Sequence, residues 1–163
     1  DLIFEYKPDR AMDVAHIFHK WLRAMTDKGE LIADLETSNK TFIRFKTKTM
    51  SEILPDAENA LSVWNTKNFY FYEIVNHGGY DYKIQFAVSS KNIPDDLRKI
   101  CDRINEIFPA KMQKENWQWR NHFHTSKRKI DENIDEEELM KNLDTDWIKI
   151  KEFEKRLKRE LGL

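Results

Sequence analysis

Cysteine is nearly missing: Cys101 is alone in 163 residues, so no internal disulfide can form and a disulfide-stapled scaffold is excluded. Glycine and proline are scarce, four of each, which excludes collagen-like and low-complexity chains. No stretch approaches the roughly 18–20 apolar residues of a membrane span. An excess of one charge is missing too. The 28 Lys and Arg stand against 29 Asp and Glu, for a formal charge of −1. A uniformly basic nucleic-acid coat is excluded, but a local patch is not. Finally, the chain opens on Asp1 rather than Met. A removed leader or a piece of a longer protein is expected. No signal-like apolar stretch follows, so a cytoplasmic, reducing setting is expected.

What is present suits a folded domain. Apolar residues make up 40% of the chain, charged residues 35% and aromatics 12%. The length predicts a single domain over 1–163, able to bury roughly 70% of its unfolded surface.

Hydrophobic spacing predicts the elements. Leu2 to Tyr6 reads as a short strand. Asp9 is a candidate N-cap for a helix whose stripe is Val14, Ile17, Phe18, Trp21, Leu22 and Met25. Leu31 to Leu35 and Thr41 to Lys48 read as strands, the second with Ile43 and Phe45 on one face and Phe42, Arg44 and Lys46 on the other. Residues 49–68 look irregular, with a short helix around Pro55. Phe69 to Asn76 and Asp81 to Ser89 form a hairpin about a two-residue Gly78-Gly79 turn, with Tyr82, Ile84, Phe86 and Val88 facing in. Pro94 starts a helix that Pro109 closes. Trp117 to Thr125 alternates, and Lys127 to Ile130 extends or pairs with it. Asp135 and Glu138 open a long C-terminal helix over 135–161. The expected class is α+β: an antiparallel or mixed sheet with a central β-hairpin, packed by helices.

Several constellations could carry chemistry. Pro55-Asp56 followed by Asp81-Tyr82-Lys83 matches the PD-(D/E)XK nuclease pattern, in which two carboxylates hold Mg²⁺ and a lysine orients water. Asp81 and Lys83 share a strand face; the bland reading is a solvated hairpin edge. Glu73 is placed opposite Ile84 by a two-residue turn, among Phe71 and Val75, where a lone carboxylate needs a partner. It is a candidate ligand-binding or metal-binding group, or one satisfied by a nearby Tyr or Arg. His16 with His19, and His122 with His124, have spacings that suit zinc, though ordinary histidines explain them as well and no metal site is assigned. Cys101 reads as a small core residue.

The window from Lys111 to Ile130 is basic. Lys111, Lys114, Arg120, Lys127, Arg128 and Lys129 face one acid, Glu115, with Trp117, Trp119, Phe123, His122 and His124 interleaved. Cations meet phosphates and aromatic rings stack on bases, so this composition suits DNA or RNA. Arg44 and Lys46 would enlarge the patch if the two strands were neighbours. The alternative is a strand whose tryptophan face enters the core. The terminal stripe (Leu139, Leu143, Trp147, Ile150, Phe153, Leu157, Leu161) suits docking on the sheet or a homodimer seam through Leu143, Trp147, Ile150 and Leu157.

The segments FYFYEIVN (69–76), SSKNIPDDLR (89–98), CDRIN (101–105) and WQWR (117–120), with the closing helix, resemble an uncharacterised bacterial module that accompanies PD-(D/E)XK-type nuclease domains in restriction or phage-defence-like proteins. The resemblance spans roughly residues 40–160. It implies a nucleic-acid-associated setting beside a nuclease domain or subunit. The nuclease pattern departs here, since the aromatic strand offers Glu73-Ile74-Val75 without a lysine. The expected function is therefore a non-catalytic, nucleic-acid-associated or protein-interaction module. It needs no cofactor and uses Arg44, Lys46, Arg120, His122, His124, Lys127, Arg128 and Lys129. The alternatives are a Mg²⁺-dependent nuclease using Asp56, Glu73, Asp81 and Lys83, and a structural dimerisation protein.

Overall fold

The computed structural model describes residues 9–111 and 116–163. The expected strand over 2–6 and the window's Lys114 and Glu115 lie outside the described residues. The protein is α+β. Among the described residues, four helices accompany a six-stranded antiparallel sheet.

Helix α1 (Arg10–Asp27) starts at its N-cap, where the Asp9 carboxylate accepts from the Met12 amide at 3.1 Å. Its apolar stripe is buried. Strands β1 (Ile32–Asp34) and β2 (Phe42–Lys46) follow. Thr47 then caps α2 (Lys48–Ile53), accepting from the Met50 amide at 3.1 Å. The short helix thus precedes Pro55 instead of surrounding it, since the residue before a proline is pushed out of the helical region.

The hairpin is β3 (Tyr70–His77) and β4 (Asp81–Ser89). Helix α3 (Asp95–Ile107), β5 (Trp119–His124), β6 (Arg128–Lys129) and α4 (Glu136–Leu161) complete the chain. Strand order is β1-β2-β3-β4-β5, and β6 pairs with β4 nearer the hairpin turn.

The helices bury one face of this sheet. Phe18 of α1 meets Tyr82, and Phe153 of α4 meets Phe86 and Phe123. Leu143, Trp147, Ile150 and Leu157 all enter this core. The terminal stripe is spent on the sheet and leaves no exposed seam of the kind the homodimer expectation requires.

Two carboxylates of α4 are sealed beneath it. Asp146 accepts from Tyr82 Oη at 2.8 Å and Arg128 Nε at 3.0 Å. Glu154 accepts from Tyr72 Oη at 2.8 Å and from the Thr47 hydroxyl. Burial raises the pKa of both carboxyl groups.

Two local features alter the expected faces. First, His77 pairs with Asp81, so Gly78, Gly79 and Tyr80 form a three-residue loop in place of a two-residue turn. Gly79 has φ +82 and lies against Arg10, whose backbone oxygen would be 2.8 Å from an added Cβ. Arg10 Nε donates to the Gly79 carbonyl at 2.9 Å, and the Gly79 amide donates to Asn76 Oδ1 at 3.0 Å. The register therefore places Glu73 opposite Gln85, not Ile84, and on the face away from the helices. Second, the β4–β5 register shifts at Phe86/Ala87. This bulge ends the expected alternation of β5: Phe123 joins the helix side against Phe153, and His124 pairs with Gln85.

Candidate functional site: the open face of the sheet

Phe71, Val75 and Ala87 are buried, yet they stand outside the helix-side core. Both faces of β3 are thus taken out of water. The stretch between α2 and β3 explains one end. The Val63 amide donates to Ser89 Oγ at 3.0 Å, and the Trp64 ring packs edge-on against Phe71 at 4.9 Å. Beyond Trp64 the face opens into a cavity of about 480 Å³, lined by residues of β2, β3, β4 and β5 together with Val63 and Trp64.

Its floor is a directed polar chain. Arg44 Nε donates to Glu73 Oε2 at 2.8 Å, and Gln85 Nε2 donates to Glu73 Oε1 at 3.0 Å. Asn121 Nδ2 then donates to Gln85 Oε1 at 3.3 Å. Cross-strand pairing builds it: Arg44, Glu73 and Gln85 share one row of the sheet. Glu73 is 5% exposed and Gln85 8%, so the chain replaces hydration that both would otherwise lose. Arg44 also donates to the Thr37 carbonyl and packs its guanidinium near the Phe42 and Trp64 rings, at 5.2 and 5.9 Å.

Aromatic walls stand over this floor. Trp119 is 58% exposed at the cavity rim. Lys83 also lines the cavity; Asp81 on the same strand is engaged by His77 and Lys127, and among the described residues no carboxylate pairs with Lys83. His77, at the rim, is tied by Nδ1 to Asp81 at 2.6 Å. The Arg44 charge is matched by Glu73, which leaves Lys83 as the unmatched cation of the lining among the described residues.

The sequence candidates disperse. Asp56 lies in the loop after α2, near enough to Tyr70 to perturb its hydroxyl. Tyr70 pairs with Val88, at the far end of β4 from Asp81. Seven residues of strand put those ends about 24 Å apart at roughly 3.4 Å per residue. Asp56 therefore does not join Asp81 and Lys83, and the two-carboxylate Mg²⁺ arrangement is not assembled. Among the described residues no group of three or more His, Cys, Asp and Glu side chains is placed to hold a metal ion.

The basic set does not share a surface. Arg44 and Lys46 sit on the open face, with Lys46 Nζ donating to Asn68 Oδ1 at 2.8 Å. Arg120 lies opposite Val88 on the helix side, with its guanidinium 4.2 Å from the Trp117 ring centre. His122 is buried, its Nδ1 donating to the Phe108 carbonyl at 2.8 Å, and burial lowers its pKa. Arg128 is spent on Asp146, and Lys127 lies 3.7 Å from Asp81. Lys129 and His124 remain exposed. Trp117 and Phe123 are packed, so Trp119 alone of the three aromatic candidates is presented. The Cys101 thiol, pushed up to about 12 by burial, is a core group as expected.

Sequence reasoning missed Gln85, Asn121 and Trp64. Gln85 and Asn121 look like ordinary strand polars. Trp64 sits where no periodicity operates. The available signal was β3 itself, where Phe71 and Val75 alternate with Tyr70, Tyr72 and Ile74. Such a run marks a strand buried on both faces.

Comparison with family models, curated proteins and solved structures gives no match, so the site stands on its own geometry. Among the described residues no helix is long and apolar enough to cross a membrane.

Proposed function

We propose that this protein is a non-catalytic binding domain that takes a nucleobase, with its phosphate, on the open face of the sheet. The observation that carries this reading is the cavity of about 480 Å³ between Trp64 and Trp119 over the Arg44–Glu73–Gln85–Asn121 chain. Its size is that of a pocket for one small ligand, roughly 300–1,000 Å³. Its character suits a flat, polar-edged molecule: aromatic walls, a hydrogen-bonding floor and the cation of Lys83, unmatched among the described residues. Sheet faces that bind nucleic acid work in this way, with bases stacked on strand aromatics. The ligand is a free nucleotide or a residue of a single strand. A cytoplasmic setting, where both occur and where Cys101 stays reduced, goes with this reading. So does a nucleic-acid-associated role beside a nuclease.

The test is quenching of tryptophan fluorescence by nucleoside monophosphates and by short single-stranded DNA and RNA, with and without Mg²⁺. Binding is expected in both conditions, without cleavage. Trp119→Ala should weaken it by at least about fivefold, since stacking is worth roughly 1–3 kcal/mol per base. Equal affinity for monophosphate and strand identifies a nucleotide site; a much tighter strand identifies a nucleic-acid site. No binding of either refutes the proposal. Mg²⁺-dependent cleavage that Lys83→Ala abolishes refutes its non-catalytic part.

A further inference from the structure

The floor of the cavity has a polarity that constrains its occupant. Every hydrogen bond in the chain runs toward Glu73. Arg44 and Gln85 donate to the carboxylate, and Asn121 donates to Gln85. A carboxylate only accepts, so it fixes the Gln85 amide with nitrogen inward and oxygen outward. That oxygen in turn fixes Asn121, whose Nδ2 is committed. The chain ends on Asn121 Oδ1, a buried acceptor to which nothing donates among the described residues. Such an atom is costly unless something donates to it. Asn121 as a whole is half-buried and lines the cavity. A ligand in the cavity that donates to this oxygen would satisfy it while the Nδ2 bond to Gln85 is kept.

Resting on the nucleobase reading above, we infer that the cavity selects bases carrying an exocyclic amino group, with Asn121 Oδ1 accepting from that group. Adenine and cytosine present such a donor, and thymine and uracil present a carbonyl oxygen at the same place. The carboxylate of Glu73, which never needs to touch the ligand, is a positioning group. It sets the amide orientations that make the end of the chain an acceptor. Lys83 supplies the positive charge for the phosphate.

The experiment compares adenosine 5′-monophosphate with purine riboside 5′-monophosphate, which lacks only the amino group, by calorimetric titration of the whole chain. The amino nucleotide is expected to bind roughly tenfold or more tightly, the effect of leaving a buried acceptor unpaired. In Asn121→Leu, checked for folding by circular dichroism, that ratio should fall to about one. Equal affinities in the wild type overturn the amino-group inference while leaving the nucleobase site standing. A preference that survives in folded Asn121→Leu overturns the assignment to Asn121. Failure of both nucleotides to bind overturns this inference, and the proposed function falls with it when short single strands fail to bind as well. The wild-type comparison decides the matter even if the variant does not fold.

Discussion

Breaking the Arg44–Glu73 pair should destabilise the protein far more than removing it whole. The side chains are 12% and 6% exposed, and Nε and Oε2 are 2.8 Å apart. Glu73→Leu strands a guanidinium that keeps only the Thr37 carbonyl, and it also leaves Gln85 Nε2 without its acceptor. Stranding one member of a buried pair costs about 3–5 kcal/mol, and the orphaned amide adds roughly 1–3 kcal/mol. Arg44→Met leaves Glu73 with Gln85 alone, again at about 3–5 kcal/mol. In the double variant no charge is stranded, and apolar side chains meet Phe42, Trp64 and Val75. A net loss of about 1–3 kcal/mol is expected, because well-packed apolar replacements of buried pairs are often neutral and only the orphaned Gln85 amide remains as a cost. The assay is urea unfolding of all four proteins at pH 7, comparing midpoints at constant slope. The coupling between the two substitutions should reach at least about 3 kcal/mol. Single variants that each lose less than about 1 kcal/mol, or losses that simply add, would refute the argument. They would mean that water or the loop before β3 serves these charges instead. The expected outcome has a corollary for function: a pair that stability does not require is retained for what it holds in place.

Gly79→Ala should lower stability by about 1–3 kcal/mol, read from the unfolding midpoint, because φ is +82 and the new methyl would press on the Arg10 backbone. An unchanged midpoint would show that the turn can shift freely. His122 should give an acid-side loss of stability. Burial lowers its pKa below the ordinary 6.5, so beneath that value the unfolded chain takes up a proton that the fold resists. Stability then falls as pH drops through 6.5 toward the lowered value, and His122→Asn should flatten that slope; an identical slope would falsify the burial argument.

Local signals were readable where local physics decides. The stripes of α1, α3 and α4 are set by a period of 3.6, and Asp9 and Asp135 cap the helices they precede. The hairpin was readable in place but not in register. Its loop length is bound up with Arg10, which is 69 positions away from Gly79. That one residue decides which face Glu73 occupies. The bulge in β5 leaves no comparable mark, and simple alternation from Trp117 to Thr125 therefore misplaces Phe123 and His124. The basic window illustrates the larger limit. Neighbours in a strand point to opposite faces, and the acids that consume Arg128 and Arg44 lie on distant elements. Charge clustering in sequence therefore did not become charge clustering on a surface. The cavity needed four strands and one loop tryptophan to converge, and pairwise spacing carries no trace of that.

The hairpin encodes two structures in alternate letters. Tyr70, Tyr72 and Ile74 belong to the core, while Glu73 and Val75 line the cavity and Phe71 packs against Trp64 at its end. On β4 the same holds for Tyr82, Ile84 and Phe86 against Lys83, Gln85 and Ala87. The two sets never compete for a position, so the cavity can acquire a different ligand preference through substitutions that leave the core untouched. The arrangement is fragile in another respect. A single inserted or deleted residue in either strand transposes both messages at once. It would hand Glu73 to the helices and an aromatic ring to the cavity. A lineage descended from this sequence is thus free to respell the strands but not to change their length, and the arginine holding the hairpin turn from the far side of the chain acts as its punctuation.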